Sequence, residues 1–203
     1  MEPHKLLEQL KEAIGQGLKI IILQGLEDSA RSFFLSTFLQ HLKRPCLVLT
    51  PDQGESSRLL NQLRFFMSEE SITDHAQRRL FHFPFYDTSP LSGLSPHQDV
   101  VTSRLEALYQ FLSNPNPVVV SPLEAVLFRI VPKSAFLKSL EPLETGEEFD
   151  RDELIEYLES SGYCRSSLVE ERGDYAVRGS ILDIFAPLHP YPIRLEFWAD
   201  VIE

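Results

Sequence analysis

Four short apolar runs without polar alternation stand out early in the chain: 18–23 (LKIIIL), 46–49 (CLVL), 80–83 (LFHF) and 117–121 (PVVVS). Runs this short and uniform predict strands buried on both faces, as parallel sheets contain. Between them, apolar residues fall at helical spacing: Phe33, Phe34, Thr37, Phe38 and His41; Leu59, Leu60, Leu63 and Met67; Val101, Leu105, Leu108 and Leu112. Strands alternating with helices of this length predict a βαβ parallel sheet. Later the period changes. A helix is predicted over 152–160, with Leu154, Ile155 and Leu158 on one side, and short β segments over 165–170, 175–178, 180–185 and 193–197. Glycines and prolines punctuate these segments, which predicts a small, mainly antiparallel sheet with one helix packed on it. Gly179 is expected to supply a turn with positive φ.

Three predicted helix starts share one design. Thr50-Pro51-Asp52-Gln53, Ser95-Pro96-His97-Gln98 and Ser121-Pro122-Leu123-Glu124 each offer a hydroxyl as N-cap, Pro at the first helical position and Gln or Glu at the third. The hydroxyl would accept from an orphan N–H, and Pro has no N–H to leave unpaired. Two of these starts directly follow a predicted strand, at the sheet edge where ligands bind in such folds.

Charge divides the chain. Residues 1–133 carry 13 Lys and Arg against 14 Asp and Glu, whereas residues 134–203 carry 6 against 16, out of 19 and 30 in all. Nearly all of the net charge of −11 therefore lies in the last third, which predicts two units, 1–133 and 134–203, with different surfaces. Such acidity opposes a bare nucleic-acid binder. With 43% apolar and 24% charged residues the composition is that of a globular protein. The start lacks signal-peptide character and no apolar run is long enough for a bilayer, so a cytoplasmic location without membrane contact is expected. Cys46 and Cys164 lie far apart and are expected to be reduced.

The octet after the first predicted run, Gly25-Leu26-Glu27-Asp28-Ser29-Ala30-Arg31-Ser32, has the outline of a phosphate-binding loop. That loop needs Gly-x-x-x-x-Gly-Lys-Ser/Thr, so that backbone N–H groups cradle phosphates while Lys and the hydroxyl handle charge and magnesium. Gly25 and Ser32 are in register, but Ala30 replaces the second Gly and Arg31 the Lys. Glu27 and Asp28 bring negative charge into the nest, and no Asp-Glu pair follows Val118-Val119-Val120. The fold class expected is thus α/β: a parallel-sheet, degenerate P-loop-NTPase-like lobe followed by a small α+β domain. No cofactor is expected here; a lobe that keeps ATP affinity at 25–32 is the rival reading.

Other candidates carry less. His4, His41, His75, His82, His97 and His189 show no metal-ligand spacing, and no Gly-x-Ser-x-Gly elbow exists. The acidic run of Glu141, Glu144, Glu147, Glu148 and Asp150 lacks calcium-loop spacing. Phe81, Phe83 and Phe85 sit at strand spacing, which favours burial over base stacking.

One stretch is more specific. Ser161-Gly162-Tyr163-Cys164-Arg165, then Val169-Glu170, then Gly173-Asp174-Tyr175-Ala176-Val177-Arg178-Gly179-Ser180-Ile181-Leu182-Asp183-Ile184-Phe185, and finally Ile193-Arg194-Leu195-Glu196-Phe197 with Asp200, resembles the UvrB-like module of bacterial transcription-repair coupling factors and of UvrB. Ser95-Pro96-His97-Gln98-Asp99 with Ser103-Arg104-Leu105 looks like the N-terminal region of the coupling factors, and 84–94 is too short for UvrB's long aromatic hairpin. The resemblance spans roughly 18–203. It implies that 1–133 is UvrB-like domain 1a and 134–203 UvrB-like domain 2, the one that binds the damage sensor UvrA. The chain would then be a non-catalytic fragment of an ATP-dependent DNA translocase that displaces stalled RNA polymerase. RNA polymerase, double-stranded DNA, ATP and magnesium would be bound by other parts of that parent.

Carried over residue by residue, the resemblance makes Arg165, Arg178 and Glu196 partner-binding residues, with Phe185 added as an exposed apolar anchor. Ala176 departs from the family, where UvrB tends to carry another Arg. Arg and aromatic side chains are frequent interface hot spots, and isolated cations on an acidic surface fix a partner's register. From composition alone the bland alternative, that each Arg balances neighbouring Asp and Glu, is the favoured one; the motif match reverses it.

Overall fold

A computed structural model describes residues 3–69, 78–89 and 92–203. His75 and part of the 84–94 loop lie outside the described residues. The chain divides into two compact units, Met1–Phe83 with Gln110–Leu123, and Pro84–Tyr109 with Glu124–Glu203. The architecture is mixed α/β, with a three-stranded parallel sheet and a separate five-stranded mixed sheet.

In the first unit the helices α1 (Pro3–Gly15), α2 (Asp28–His41) and α3 (Gln53–Met67) accompany strands β1 (Cys46–Thr50), β2 (Leu80–His82) and β3 (Val118–Pro122). Helix α4 (Gln98–Ser113) precedes β3 and the short α5 (Leu123–Leu127) follows it, most of both belonging to the second unit. The sheet order is β1-β3-β2, all parallel. All five residues of central β3 are buried, as a strand flanked on both sides requires. Leu39 from α2 and Leu59, Leu60 and Leu63 from α3 pack with Leu80, Val118 and Val120.

The run 18–23 forms no strand, so the parallel sheet has three strands where four were expected. Leu18 is taken by the end of α1: its N–H reaches Ala13 O at 3.1 Å while Gly17 N–H reaches Ile14 O at 3.0 Å, with Gly17 at φ 78. This pair of bonds is a Schellman cap, whose reversed residue glycine adopts without steric cost. The residues that follow have no ladder partner among the described residues, and Ile20 and Ile22 are 82% and 76% exposed.

The helix starts also differ from expectation. Asp52, not Thr50, caps α3, its carboxylate accepting from Glu55 N at 2.9 Å. Thr50 Oγ1 instead lies 3.0 Å from Asp52 O and 3.4 Å from Ser121 O, and Ser121 Oγ donates to Phe83 O at 2.8 Å. Helix α4 begins at Gln98 rather than after Ser95, and its most buried residues are Thr102, Arg104 and Ala107, not the leucine set. The Thr50 and Ser121 hydroxyls are committed to backbone carbonyls, that of Ser121 to buried Phe83, and this use wins over capping.

The second unit holds α6 (Lys133–Lys138), α7 (Arg151–Ser160) and strands β4 (Cys164–Arg165), β5 (Asp174–Arg178), β6 (Ile181–Ile184), β7 (Ile193–Trp198) and β8 (Val201–Ile202), in the order β4-β5-β6-β7-β8. Every pairing is antiparallel except β4 with β5. Strand β4 is far shorter than the predicted 165–170, and β8 was not predicted. Gly179 has φ 64 and turns β5 into β6 with Arg178 opposite Ile181. Asp150 caps α7 through bonds to Asp152 N at 2.7 Å and Glu153 N at 3.0 Å. Leu154 and Leu158 of α7 pack on Tyr175, Leu182, Ile184, Leu195 and Phe197.

Candidate docking site

Alternation along β5, β6 and β7 separates two faces. Tyr175, Leu182, Ile184, Leu195 and Phe197 are buried with α7, whereas Arg178, Arg194, Glu196 and Trp198 are exposed on the opposite parity. Register places Arg178 beside Ile181 and Ile181 beside Glu196, so the structure brings Arg178 and Glu196 into one row across three strands. Arg178 NH2 donates to Ser167 O at 2.7 Å, a neutral acceptor; among the described residues no carboxylate stands within ion-pair distance of it, although its charge reaches Asp183.

Arg165 stands elsewhere. Its register partner is Tyr175, whose side chain belongs to the helix-covered face, so Arg165 sits at the β4 edge on that side. It is exposed, and its charge reaches Tyr175. The Tyr175 phenol donates to Glu159 Oε1 at 2.6 Å; burial, then that carboxylate, push its pKa up, while Arg165 opposes them. Phe185 directly follows β6 and is half-buried beneath Arg172, whose guanidinium carbon lies 5.0 Å from the ring centroid. A cation over an aromatic face is attracted by the ring quadrupole.

Sequence reasoning passed over Arg194 and Trp198. Arg194 forks onto Asp183 with Nε–Oδ1 at 2.7 Å and NH2–Oδ2 at 2.9 Å, and Trp198 is 76% exposed. The signal was available, because Ile193 to Trp198 alternates apolar and polar residues and assigns both to the outer face.

The 25–32 octet offers little to a phosphate. Gly25 has φ 79 and α2 begins within the octet at Asp28. Ser32 is fully buried and its hydroxyl donates to Gln62 Oε1 at 2.6 Å, while Arg31 lies 3.4 Å from Glu55. The N–H groups of Ala30 and Arg31 both turn to Glu27 O, at 3.1 and 3.3 Å. Among the described residues no group of His, Cys, Asp and Glu could hold a metal ion, and no helix is long and apolar enough to cross a membrane. Both cysteines are free.

The second unit pairs a mixed sheet, covered on one face by a helix, with a charged row on the other, and residues 142–203 match the UvrB interaction domain family. Over most of its length the chain resembles transcription-repair-coupling factors. It is 32% identical to that of Myxococcus xanthus over 181 residues and 28% identical to that of Escherichia coli over 182, covering 89% and 90% of this chain. The factor of Mycobacterium bovis is 34% identical over 165 residues, 78% of this chain. The chain spans only 13–15% of the length of these relatives. The chain thus matches a UvrB interaction domain over 142–203, within a sequence akin to one stretch of the coupling factors.

Proposed function

We propose that this chain is a non-catalytic docking module that recruits UvrA in transcription-coupled excision repair, working in the cytoplasm as part of a longer ATP-dependent DNA translocase that displaces stalled RNA polymerase. The first unit then serves as an NTPase-like lobe without nucleotide chemistry, needing no cofactor, while ATP, magnesium and DNA are handled by other parts of the parent. The observation that carries this reading is the match to the UvrB interaction domain over 142–203 together with Arg178 exposed on the outer face of its sheet, with no carboxylate within ion-pair distance among the described residues. A fixed cation on an acidic surface orients a partner and rejects wrong ones.

Because Arg165 sits toward the other face, a partner that uses both arginines must wrap the β4 edge. Calorimetric titration with UvrA tests this. Arg165→Ala and Arg178→Ala are each expected to weaken binding by about 1–3 kcal/mol, as truncated interface arginines do. Affinity unchanged in the double variant overturns the residue assignment, and no binding at all overturns the function.

A further inference from the structure

The second unit carries a cavity of about 660 Å³ lined by α7 and the sheet, and also by Leu105 of α4 and Phe136 of α6. Its walls are apolar, built from Leu140, Leu154, Tyr157, Ile184, Leu188 and Ile193 among others. This volume lies within the range of natural ligand sites, and Leu188 at the wall is 36% exposed. It lies on the side of the sheet that α7 covers, so it is separate from the face carrying Arg178 and Glu196. The proposed function does not use it.

The chain that frames the cavity is strongly acidic. Residues 139–161 hold nine carboxylates against the single Arg151, but Glu147 and Glu148 lie beside β8, Asp150 caps the start of α7 and Glu159 accepts from Tyr175, whereas Glu156 lies one helical turn before the lining residue Ser160. Arg151 is already engaged by Asp152 and by Gly179 O. Glu141 lines the cavity itself, and Glu153 lies one helical turn before the lining residue Tyr157. Lys133 and Lys138 on α6 are the cations nearest in sequence. An apolar slot bordered by carboxylates repels acidic peptides and gains little from a neutral oily molecule that leaves the border unpaired. It suits a chain whose apolar side chains enter the slot while its cations meet the border.

We propose that this cavity docks a basic amphipathic helix of a partner protein, with apolar anchors at i, i+3, i+4 and i+7 in the slot and Lys or Arg facing Glu141, Glu153 and Glu156. Helix-in-groove recognition has this division of labour: burial supplies affinity, and border charge supplies orientation and selectivity.

The probe is a labelled synthetic Leu/Lys peptide of roughly four helical turns, titrated into the 203-residue chain by fluorescence anisotropy at near-physiological salt. Saturable one-to-one binding is expected, weakened about tenfold or more by Ala186→Trp, which fills the slot, and severalfold by Glu141→Lys with Glu156→Lys. Arg178→Ala should change nothing. Leu188→Lys, which puts a like charge at the mouth against the peptide's cations without enlarging the core, gives the same readout if Ala186→Trp fails to fold. Equal binding of a scrambled Leu/Lys peptide, or of a Leu/Glu peptide, overturns the proposal, as does affinity indifferent to Ala186→Trp or Leu188→Lys in folded protein.

Discussion

Arg194 grips Asp183 across neighbouring antiparallel strands, with two parallel contacts of 2.7 and 2.9 Å between residues that face each other in the ladder. A planar guanidinium matched to a carboxylate fixes direction as well as distance, so this pair pins the register of β6 against β7. The Arg194 hydrogen bond, reinforced by its charge and that of Arg178, holds the Asp183 carboxyl below the usual carboxylate range against the opposing effect of burial. Folded Asp183 therefore releases its proton more readily than unfolded Asp183. The stability it supplies is complete above the ordinary value of about 3.9 and disappears as pH falls through the lowered one. Following the Asp183 carboxyl by NMR, Arg194→Gln should raise its titration midpoint. A midpoint that does not move refutes the pairing in solution.

The same pair separates the arginines of the outer face. Arg194 enters any complex already neutralised, whereas Arg178 gives its donor to a carbonyl. In the UvrA titration Arg194→Ala should cost less than Arg178→Ala, by about tenfold in affinity. The reverse order would mean that the partner opens the Arg194–Asp183 fork.

Ser56 Oγ lies 3.0 Å from His82 Nε2 in the first unit. Burial, with help from the charge of Arg64, pushes the imidazole down to about 4. An unfolded histidine titrates near 6.5, so between those values the unfolded chain binds a proton that the folded chain refuses. Stability from this site is intact above about pH 6.5 and declines as pH falls toward 4, by roughly 2 kcal/mol once solvent near the ring is allowed for. Urea melts across that window should show the decline in the parent chain and a flatter profile in His82→Gln. Identical profiles would rule out His82 as the titrating group.

Strand and helix identity was largely legible because periodicity reports burial. Strands at Cys46, Leu80 and Val118, helix α7 and the Gly179 turn all follow from patterns a few residues long. What periodicity cannot see is a partner. The 18–23 run has strand composition, but a strand exists only when another offers its N–H and C=O groups, and here Gly17 spends Leu18 on a helix cap. Hydroxyl use was hidden for the same reason: Thr50 and Ser121 look like caps locally, yet residues far along the chain claim them. In the candidate site, the row linking Arg178 to Glu196 was implicit in strand alternation, but the parallel β4–β5 pairing that sets Arg165 apart was not.

The cap assignment can be checked at single amides. Asp52→Ala should cost about 1 kcal/mol and speed hydrogen exchange at Glu55 N, its bonded partner. Thr50→Val should leave that amide unchanged, because the Thr50 hydroxyl lies near Asp52 O and Ser121 O instead. Faster exchange in Thr50→Val would restore the hydroxyl as the cap.

Whether the octet binds nucleotide turns on Ser32. In a working phosphate loop this hydroxyl meets magnesium. Here it is fully buried and donates to Gln62 at 2.6 Å, so metal binding would first have to break that bond and uncover the side chain. Ser32→Ala should therefore act as a packing change, costing about 1 kcal/mol in urea melts through the Gln62 oxygen left without its donor. Magnesium-ATP should leave the melting midpoint of the unsubstituted 203-residue chain unmoved, because a ligand stabilises only a fold that it binds. A midpoint that rises with ATP concentration, and stops rising in Ser32→Ala, would turn the first unit back into a nucleotide site and make the Ser32–Gln62 bond its closed state.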